Sequence, residues 1–247
     1  MMRKRADLLL VERGHFDSRA KAQAAIAAGL VNAGGKPVRK ASETLEEDVA
    51  IQAQAAFPFV SRGGVKLAHV LDAFAISVEG RVALDVGAST GGFSDVLLRR
   101  KAAKVYAVDV GHGQLHPSLR GDKRLISLEG LDARQLDRSL VPDAIDLVVA
   151  DVSFISLVLV LPAALALAGP RADLAVLIKP QFEAGRERVG KGGVVKDETV
   201  HAEVRDRIAS FVSDLGWSVR GIVPSPIEGG DGNREFLLAA ERVTASS

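Results

Sequence analysis

The run Ala83-Leu84-Asp85-Val86-Gly87-Ala88-Ser89-Thr90-Gly91-Gly92-Phe93-Ser94 follows an apolar stretch and opens a helical pattern. Glycines at such a junction let the chain turn sharply and bring backbone close to a ligand that a Cβ would displace. The spacing is not the dinucleotide Gly-x-Gly-x-x-Gly, and it lacks the lysine of a phosphate-binding loop. A ligand with a sulfonium centre and an amino-acid end suits it better than a pyrophosphate. Asp85, at the strand end, attracts the cationic end of such a ligand, and turn amides hold its carboxylate. Asp109 lies 24 residues further on, at the end of the next apolar run. It is placed to accept both hydroxyls of an adenosine ribose, with Val110 beside it. Asp132 follows a third run, within reach of an adenine amine, and Asp151 closes a fourth. The cofactor this set predicts is S-adenosylmethionine, bound by Asp85, the turn from Gly87 through Ala88, Ser89, Thr90, Gly91 and Gly92 to Phe93, and Asp109, Val110, Asp132 and Asp151.

The elements needed to position that set are visible in the hydropathy pattern. Apolar runs at 82–87, 104–110, 124–129, 145–152 and 174–179 alternate with helical patterns. The helices are a segment of about fifteen residues from Gly92, Leu157–Leu167, and 197–215 with its stripe of Val200, Val204, Ile208, Phe211, Val212 and Leu215. Strands at 217–223 and 235–240 follow, and Val65, Ala68 and Leu71 mark a helix ahead of the first strand. This alternation predicts an α/β fold, Rossmann-like, around a largely parallel seven-stranded sheet covered on both faces.

Residues 1–58 read differently. Helices at 7–14 and 18–30, the second capped by Ser18, precede a hairpin turning at Gly34-Gly35 and a short strand near Val49 and Ile51. Residues 53–60, stiffened by Pro58, form a linker. The expected organisation is a small α+β domain, 1–58, followed by a large domain, 59–247. Residues 1–40 hold nine Lys and Arg against three acids, a balance suited to nucleic-acid phosphates. The candidate RNA contacts are Arg3, Lys4, Arg5, Arg19, Lys21, Lys36, Arg39, Lys40 and, past the linker, Arg62. Gly190–Gly193 with Lys191 reads as a mobile flap.

Several chemistries are excluded. The 247 residues include no cysteine, so disulfides, thiolate nucleophiles and cysteine-ligated metals are ruled out. His112 and His116 are four apart but lack a third ligand, and no metal site is expected. Met1–Arg13 does not follow a signal-peptide pattern, and Leu157–Ala168, broken by Pro162, is too short to span a bilayer. The expectation is a cytoplasmic protein with no membrane role and no obligate protein partner.

Six ordered segments carry a resemblance: Ser61-Arg-Gly-Gly-Val-Lys66-Leu, Leu84–Asp95, Val108-Asp-Val-Gly-His-Gly-Gln-Leu115, Asp151-Val-Ser-Phe-Ile-Ser156, Lys179-Pro-Gln-Phe-Glu183 and Gly232-Asn-Arg-Glu235-Phe. Together they resemble the TlyA family of ribosomal RNA 2'-O-methyltransferases, often catalogued as haemolysin A. The large domain resembles the FtsJ group, and the first 60 residues resemble the S4-like RNA-binding module. The resemblance implies a class I methyltransferase fold, S-adenosylmethionine as cofactor, and ribosomal RNA or ribosomal subunits as partner, with a cytidine ribose of 16S or 23S RNA as target. It also implies a catalytic tetrad of Lys66, Asp151, Lys179 and Glu235.

Chemistry asks for similar groups. A ribose hydroxyl must lose its proton as it attacks the sulfonium methyl, and a lysine takes that proton only when burial or a nearby cation draws its pKa below about 10.4. Lys179 ends a strongly apolar strand, Lys66 supplies a second positive charge, and the two acids orient the amines. Two other readings stay open at this point: a protein of the same shape that binds RNA and cofactor without catalysis, and the membrane-damaging protein suggested by the haemolysin name.

Overall fold

The computed structural model describes residues 3–229 and 232–243, and the chain divides after Ser61 into two compact units. In the first, β1 (Arg3–Arg5) leads into α1 (Ala6–Glu12) and α2 (Arg19–Ala27). Then come β2 (Val31–Ala33), β3 (Lys36–Pro37), β4 (Thr44–Glu46) and β5 (Ile51–Ala53). Ser18 Oγ accepts from Lys21 N and starts α2, as its residue type suggests. Antiparallel β3-β2-β5 forms one small sheet, and β1 pairs with β4 in another. Ala6, Leu10, Phe16, Ala25, Ile26 and Val31 make the core between them.

Neither β1 nor β4 is legible as a strand in the sequence. Arg3-Lys4-Arg5 has no apolar alternation, and the pairing is set from 43 residues away, where Glu46 stands opposite Arg3. Lys4 binds Glu12 at 2.9 Å and Glu47 at 3.0 Å, so charge complementarity takes the place of a hydrophobic face.

The second unit begins with α3 (Gly63–Ala73), β6 (Val82–Val86), α4 (Gly92–Arg99), β7 (Lys104–Asp109), β8 (Leu125–Glu129) and β9 (Ile145–Ala150). It continues with α5 (Leu157–Ala166), β10 (Ala168–Ile178), α6 (Pro180–Glu183), α7 (Glu198–Asp214), β11 (Ser218–Pro224) and β12 (Phe236–Val243). The strands form one sheet in the order β11-β12-β10-β9-β6-β7-β8. Its central strands are apolar without alternation because both faces are covered: Leu84, Val86, Leu147, Val148, Val149, Leu174 and Val176 are all buried.

The sheet is mixed, which refines the largely parallel expectation. β8, β7, β6, β9 and β10 are parallel neighbours, whereas β12 runs antiparallel to both β10 and β11. Hydropathy reports burial, not direction, so this reversal is invisible in the pattern. Two lengths also differ from expectation. α4 has eight residues instead of about fifteen, because Lys101 adopts a left-handed backbone (φ +63°) and turns the chain into β7. β10 starts six residues earlier than its apolar run, since Arg171–Asp173 pair with Val243–Glu241 across a bulged segment.

Register brings the chemistry to one edge. Val86 pairs with Val108 on one side and Ala150 on the other, and Ala150 pairs with Val176. The residues after these strands therefore collect on a single rim. The reversed β12 adds its beginning to the same rim: Ile178 pairs with Phe236, which sets Lys179 and Glu235 side by side just beyond the last pair.

Candidate active site

A cavity of about 350 Å³ opens on that rim, lined by residues from the ends of β6, β7 and β9 and the loops that follow. Gly87, Ser89, Asp109, Val110, Asp132 and Asp151 border it, as do Gln114, Leu131, Ser153 and Phe154. Of the other expected cofactor residues, Ala88, Gly91, Gly92 and Phe93 are buried behind the wall, Thr90 is exposed on the turn, and Asp85 is wholly buried.

The turn is shaped by close approach. Gly87 has φ +82°, and a Cβ there would stand 2.6 Å from the Asp151 carbonyl oxygen. Gly91, at φ +86°, leaves no room for a methyl beside Leu119 and Leu115. Gly87 N and Ala88 N donate to Val108 O at 2.8 and 3.0 Å, which ties the turn to β7. Asp109 then fixes the wall: Oδ2 accepts from Ser89 N and Oδ1 from Gly111 N, both at 2.7 Å. Each oxygen keeps a further lone pair for a ribose hydroxyl. Asp132 caps a short 3-10 turn, and the Arg134 guanidinium holds its carboxyl down to about 2.

Asp85 is electrostatically exposed to its neighbours although no water reaches it. Oδ2 accepts from Ser94 Oγ at 2.7 Å, while Oδ1 is buried without a partner. Burial, followed by the charges of Asp151 and Asp109, pushes its carboxyl up to about 7. An unpartnered buried carboxylate oxygen under a glycine cradle fits a ligand that carries an ammonium group. Asp85, the turn amides, Asp109 and Asp132 are the groups that would hold S-adenosylmethionine here, and that ligand supplies an electrophilic methyl.

The four expected catalytic residues arrange as two ion pairs. Lys179 Nζ lies 2.6 Å from Asp151 Oδ1 and donates to Ser153 Oγ at 2.8 Å. Lys66, from α3, forms a buried pair with Glu235. Asp151 and Ser153 also border the cavity, so Lys179 stands beside its wall. Glu183, four residues on, receives Ser156 Oγ at 2.7 Å, Leu157 N at 2.8 Å and Arg207 Nη2 at 3.0 Å. It thereby locks α6, and the lysine that precedes it, to the loop carrying Asp151.

Sequence reasoning missed three contributors. Ser153 and Gln114 lay inside quoted motifs, but nothing in residue type marked them as cavity wall. Phe154 is 91% exposed with a left-handed backbone (φ +65°), and its ring packs 5.0 Å from Phe182, whose ring lies 6.0 Å from Lys179 Nζ. The signal for Phe154 is its tertiary exposure, which the sequence lacks. The Gly190–Gly193 segment, expected to be a mobile flap, forms a turn in which Gly190 N donates to Val194 O at 3.0 Å. Arg134 and Arg138 serve local structure, Arg138 donating to Asp143 O at 2.7 Å. Among the described residues no cluster of His, Asp and Glu is suited to a metal.

In the first unit the expected RNA contacts divide in two. Arg5 and Arg19 bind the fully buried Asp7, at 3.0 and 2.9 Å, and their guanidiniums hold that carboxyl well below its usual range. Lys4 is paired with Glu12 and Glu47, Lys21 with Asp17, and Arg3 donates to Thr44 O. Lys36, Arg39 and Lys40 lie exposed around the hairpin, and Arg62 is exposed at the start of α3.

The sheet order, the glycine turn and the acids at successive strand ends define an S-adenosylmethionine-dependent methyltransferase of the Rossmann-like class. The model of the FtsJ-like methyltransferase family matches residues 59–242, and the chain belongs to that family. Over 240 residues it is 47% identical to the 16S/23S rRNA (cytidine-2'-O)-methyltransferase TlyA of Mycobacterium tuberculosis (strain ATCC 25618 / H37Rv), covering 96% of this chain and 89% of that one. A candidate hemolysin from Streptococcus thermophilus has a solved structure that superposes with a TM-score of 0.78 at 40% identity, covering 98% of this chain and 90% of the other. A SAM-dependent methyltransferase from Aquifex aeolicus, at 21% identity, shares the fold with a TM-score of 0.51 over 74% of this chain and 94% of its own. Among the described residues no helix is long and apolar enough to cross a membrane.

Two predictions follow from the cavity. Gly87→Ala places a methyl against the Asp151 carbonyl on a left-handed backbone. It should weaken S-adenosylmethionine binding at least tenfold and cost about 1–3 kcal/mol of stability. Calorimetric titration together with thermal melting checks both, and unchanged affinity would move the ligand away from this turn. The second concerns pH. The folded-state pKa of Asp85 exceeds its unfolded value of 3.8, so the empty protein loses stability as pH rises from about 4 to about 7. A cationic ligand favours the ionised carboxylate, so cofactor affinity should climb up to tenfold per unit below pH 7 and level off above it. In Asp85→Asn that slope should vanish. A flat wild-type profile between pH 5.5 and 8.5 would remove Asp85 from the cofactor's electrostatics.

Proposed function

We propose that this chain methylates a ribose 2'-hydroxyl of ribosomal RNA, a cytidine of 16S or 23S RNA in keeping with the name of its mycobacterial relative. The observation that carries this reading is the Lys179–Asp151 pair at the wall of the methyl-donor cavity, with the Lys66–Glu235 pair beside it in register. A ribose hydroxyl is too weak an acid to react unaided, so a site for it needs a positioned nitrogen base and little free water. Lys179 Nζ first releases to solvent the proton it carries in its pair with Asp151. The 2'-oxygen then forms its bond to the methyl carbon as the carbon–sulfur bond breaks, and the hydroxyl proton passes to the neutral Nζ. Asp151 and Ser153 aim the amine, and Asp151 stabilises it once protonated. Lys66 and Glu235 hold α3 against the start of β12 and keep the rim's second charge pair buried.

Phe154 suits a nucleotide taken out of its stack. Its exposed ring, backed by Phe182, offers a π-face next to Lys179, where a splayed base can pack. The first unit, residues 1–58 in the sequence-based division, supplies the anchor. Lys36, Arg39 and Lys40 are exposed for phosphates, whereas Arg5 and Arg19 are held by Asp7.

The primary test maps 2'-O-methyl groups on ribosomal RNA from cells with and without the gene. A map with no difference would leave only binding. In purified protein, Lys179→Arg keeps the charge but cannot accept a proton. Turnover should fall about 10²–10⁴-fold while cofactor affinity stays within twofold. Near-normal turnover of Lys179→Arg would reduce this lysine to an electrostatic role. Phe154→Ala should lower kcat/KM for RNA about 10-fold or more, in line with about 1–3 kcal/mol for a stacked base. It should leave cofactor binding unchanged. Equal kcat/KM in the two proteins would exclude the stacking platform.

A further inference from the structure

Between α6 and α7 the chain runs through Gly185-Arg186-Glu187-Arg188-Val189-Gly190-Lys191-Gly192-Gly193-Val194-Val195-Lys196, four cations against one acid. Arg188 is taken by Glu203, while Arg186, Lys191 and Lys196 are exposed, and among the described residues no ion pair involves them. An exposed, glycine-rich segment of this kind would ordinarily be loose. Here it is held by two polar side chains that are themselves almost wholly buried, Asn233 and His201. Asn233 Oδ1 accepts from Val195 N at 3.0 Å and its Nδ2 donates to Gly193 O at 2.9 Å. His201 Nε2 lies 3.0 Å from Val195 O; a carbonyl only accepts, so Nε2 carries the hydrogen. Gly190 N donates to Val194 O and Gly193 N to Gly190 O, closing a tight turn with Lys191 at its tip.

Burying an amide and an imidazole is unfavourable unless each finds partners, and an apolar pair would pack as well. Both hydrogen bonds of the Asn233 amide are nonetheless spent on this turn. The result is a fixed shape, not a larger core. Asn233 also stands two residues before Glu235, and the segment starts just after the helix that Lys179 begins. The basic turn is therefore tied to both halves of the catalytic rim.

We propose that residues 185–196 form a rigid basic prong that grips the phosphate backbone of the RNA beside the nucleotide being methylated. This rests on the RNA reading above and adds to it a contact surface within the methyltransferase unit. Arg186, Lys191 and Lys196 meet phosphates, and Asn233 and His201 are positioning residues that keep them at a set place relative to Lys179 and Glu235.

The test uses the full chain and transcribed 16S and 23S ribosomal RNA. The triple variant Arg186→Ala, Lys191→Ala, Lys196→Ala alters only exposed side chains. RNA affinity near 0.1 M salt should fall about tenfold or more, and the log–log salt slope should drop by about 2. Cofactor affinity and melting temperature should not change. Unaltered RNA affinity and slope would overturn the proposal. Asn233→Asp keeps the acceptor for Val195 N and loses the donor to Gly193 O. With the cations intact it should retain most of the salt slope yet lower kcat/KM for RNA at least fivefold, and wild-type kcat/KM in a folded Asn233→Asp protein would overturn the rigid geometry. Wild-type protein that binds RNA in a salt-dependent way but transfers no methyl would sink the methyltransfer reading alone. Wild-type protein that transfers methyl, with a triple variant indistinguishable from it, would sink the prong alone.

Discussion

The pairing of β12 against β10, in the opposite direction to the rest of the sheet, is the constraint on which the site depends. In a purely parallel sheet each strand delivers only its last residues to the working edge. Reversing one strand delivers its first residues instead, and Phe236 opposite Ile178 is what brings Glu235 next to Lys179. The same reversal places Asn233 and its hydrogen bonds at that edge, and it lets Lys66 reach Glu235 from α3 without leaving the apolar cover of the sheet. Leu237, Leu238, Ala239 and Ala240 are fully buried, so both faces of β12 are packed, and slipping the pairing by one residue would misfit both layers and carry Glu235 away from Lys179.

Electrostatics at the rim follow from this convergence. Asp85, Asp109 and Asp151 arrive on three adjacent strands, and their mutual repulsion falls most heavily on the one that water cannot reach. The surrounding hydrogen bonds answer that repulsion unequally. Asp109 is satisfied by two backbone amides and Asp151 has the charge of Lys179 beside it, whereas Asp85 has Ser94 on one oxygen and nothing on the other. The unmet need is thus concentrated at the floor of the glycine cradle, where an ammonium group is the natural complement. Lys66 and Lys179 do not compete for that role, because each already has its own carboxylate.

Much of this was legible in the sequence because it rests on local signals. Glycines at 87 and 91 announce backbone that a side chain would block, and acids at the ends of apolar runs announce a rim. Where the reading fell short, long-range pairing was responsible. β1 exists because Arg3–Arg5 meet β4, and β12 runs backwards because it folds back antiparallel onto β11; neither fact has a periodicity. Length errors had the same origin, with α4 cut short by the left-handed Lys101 and β10 extended by its antiparallel partner. The division of the basic residues into neutralised and exposed sets was equally hidden, since Lys4, Lys21, Arg5 and Arg19 find their acids through tertiary or helical contacts that composition counts as free charge.

Phe154 bears on how such a protein can change over generations. A phenylalanine in left-handed backbone costs about 1–2 kcal/mol relative to glycine at the same place, and its ring, turned outward, recovers little of that through burial. Selection for thermal endurance alone would therefore erode this position toward glycine or asparagine. Its retention would mark a lineage still under selection for what the ring touches, and its loss in an otherwise intact fold would be an early sign of a paralogue leaving the reaction.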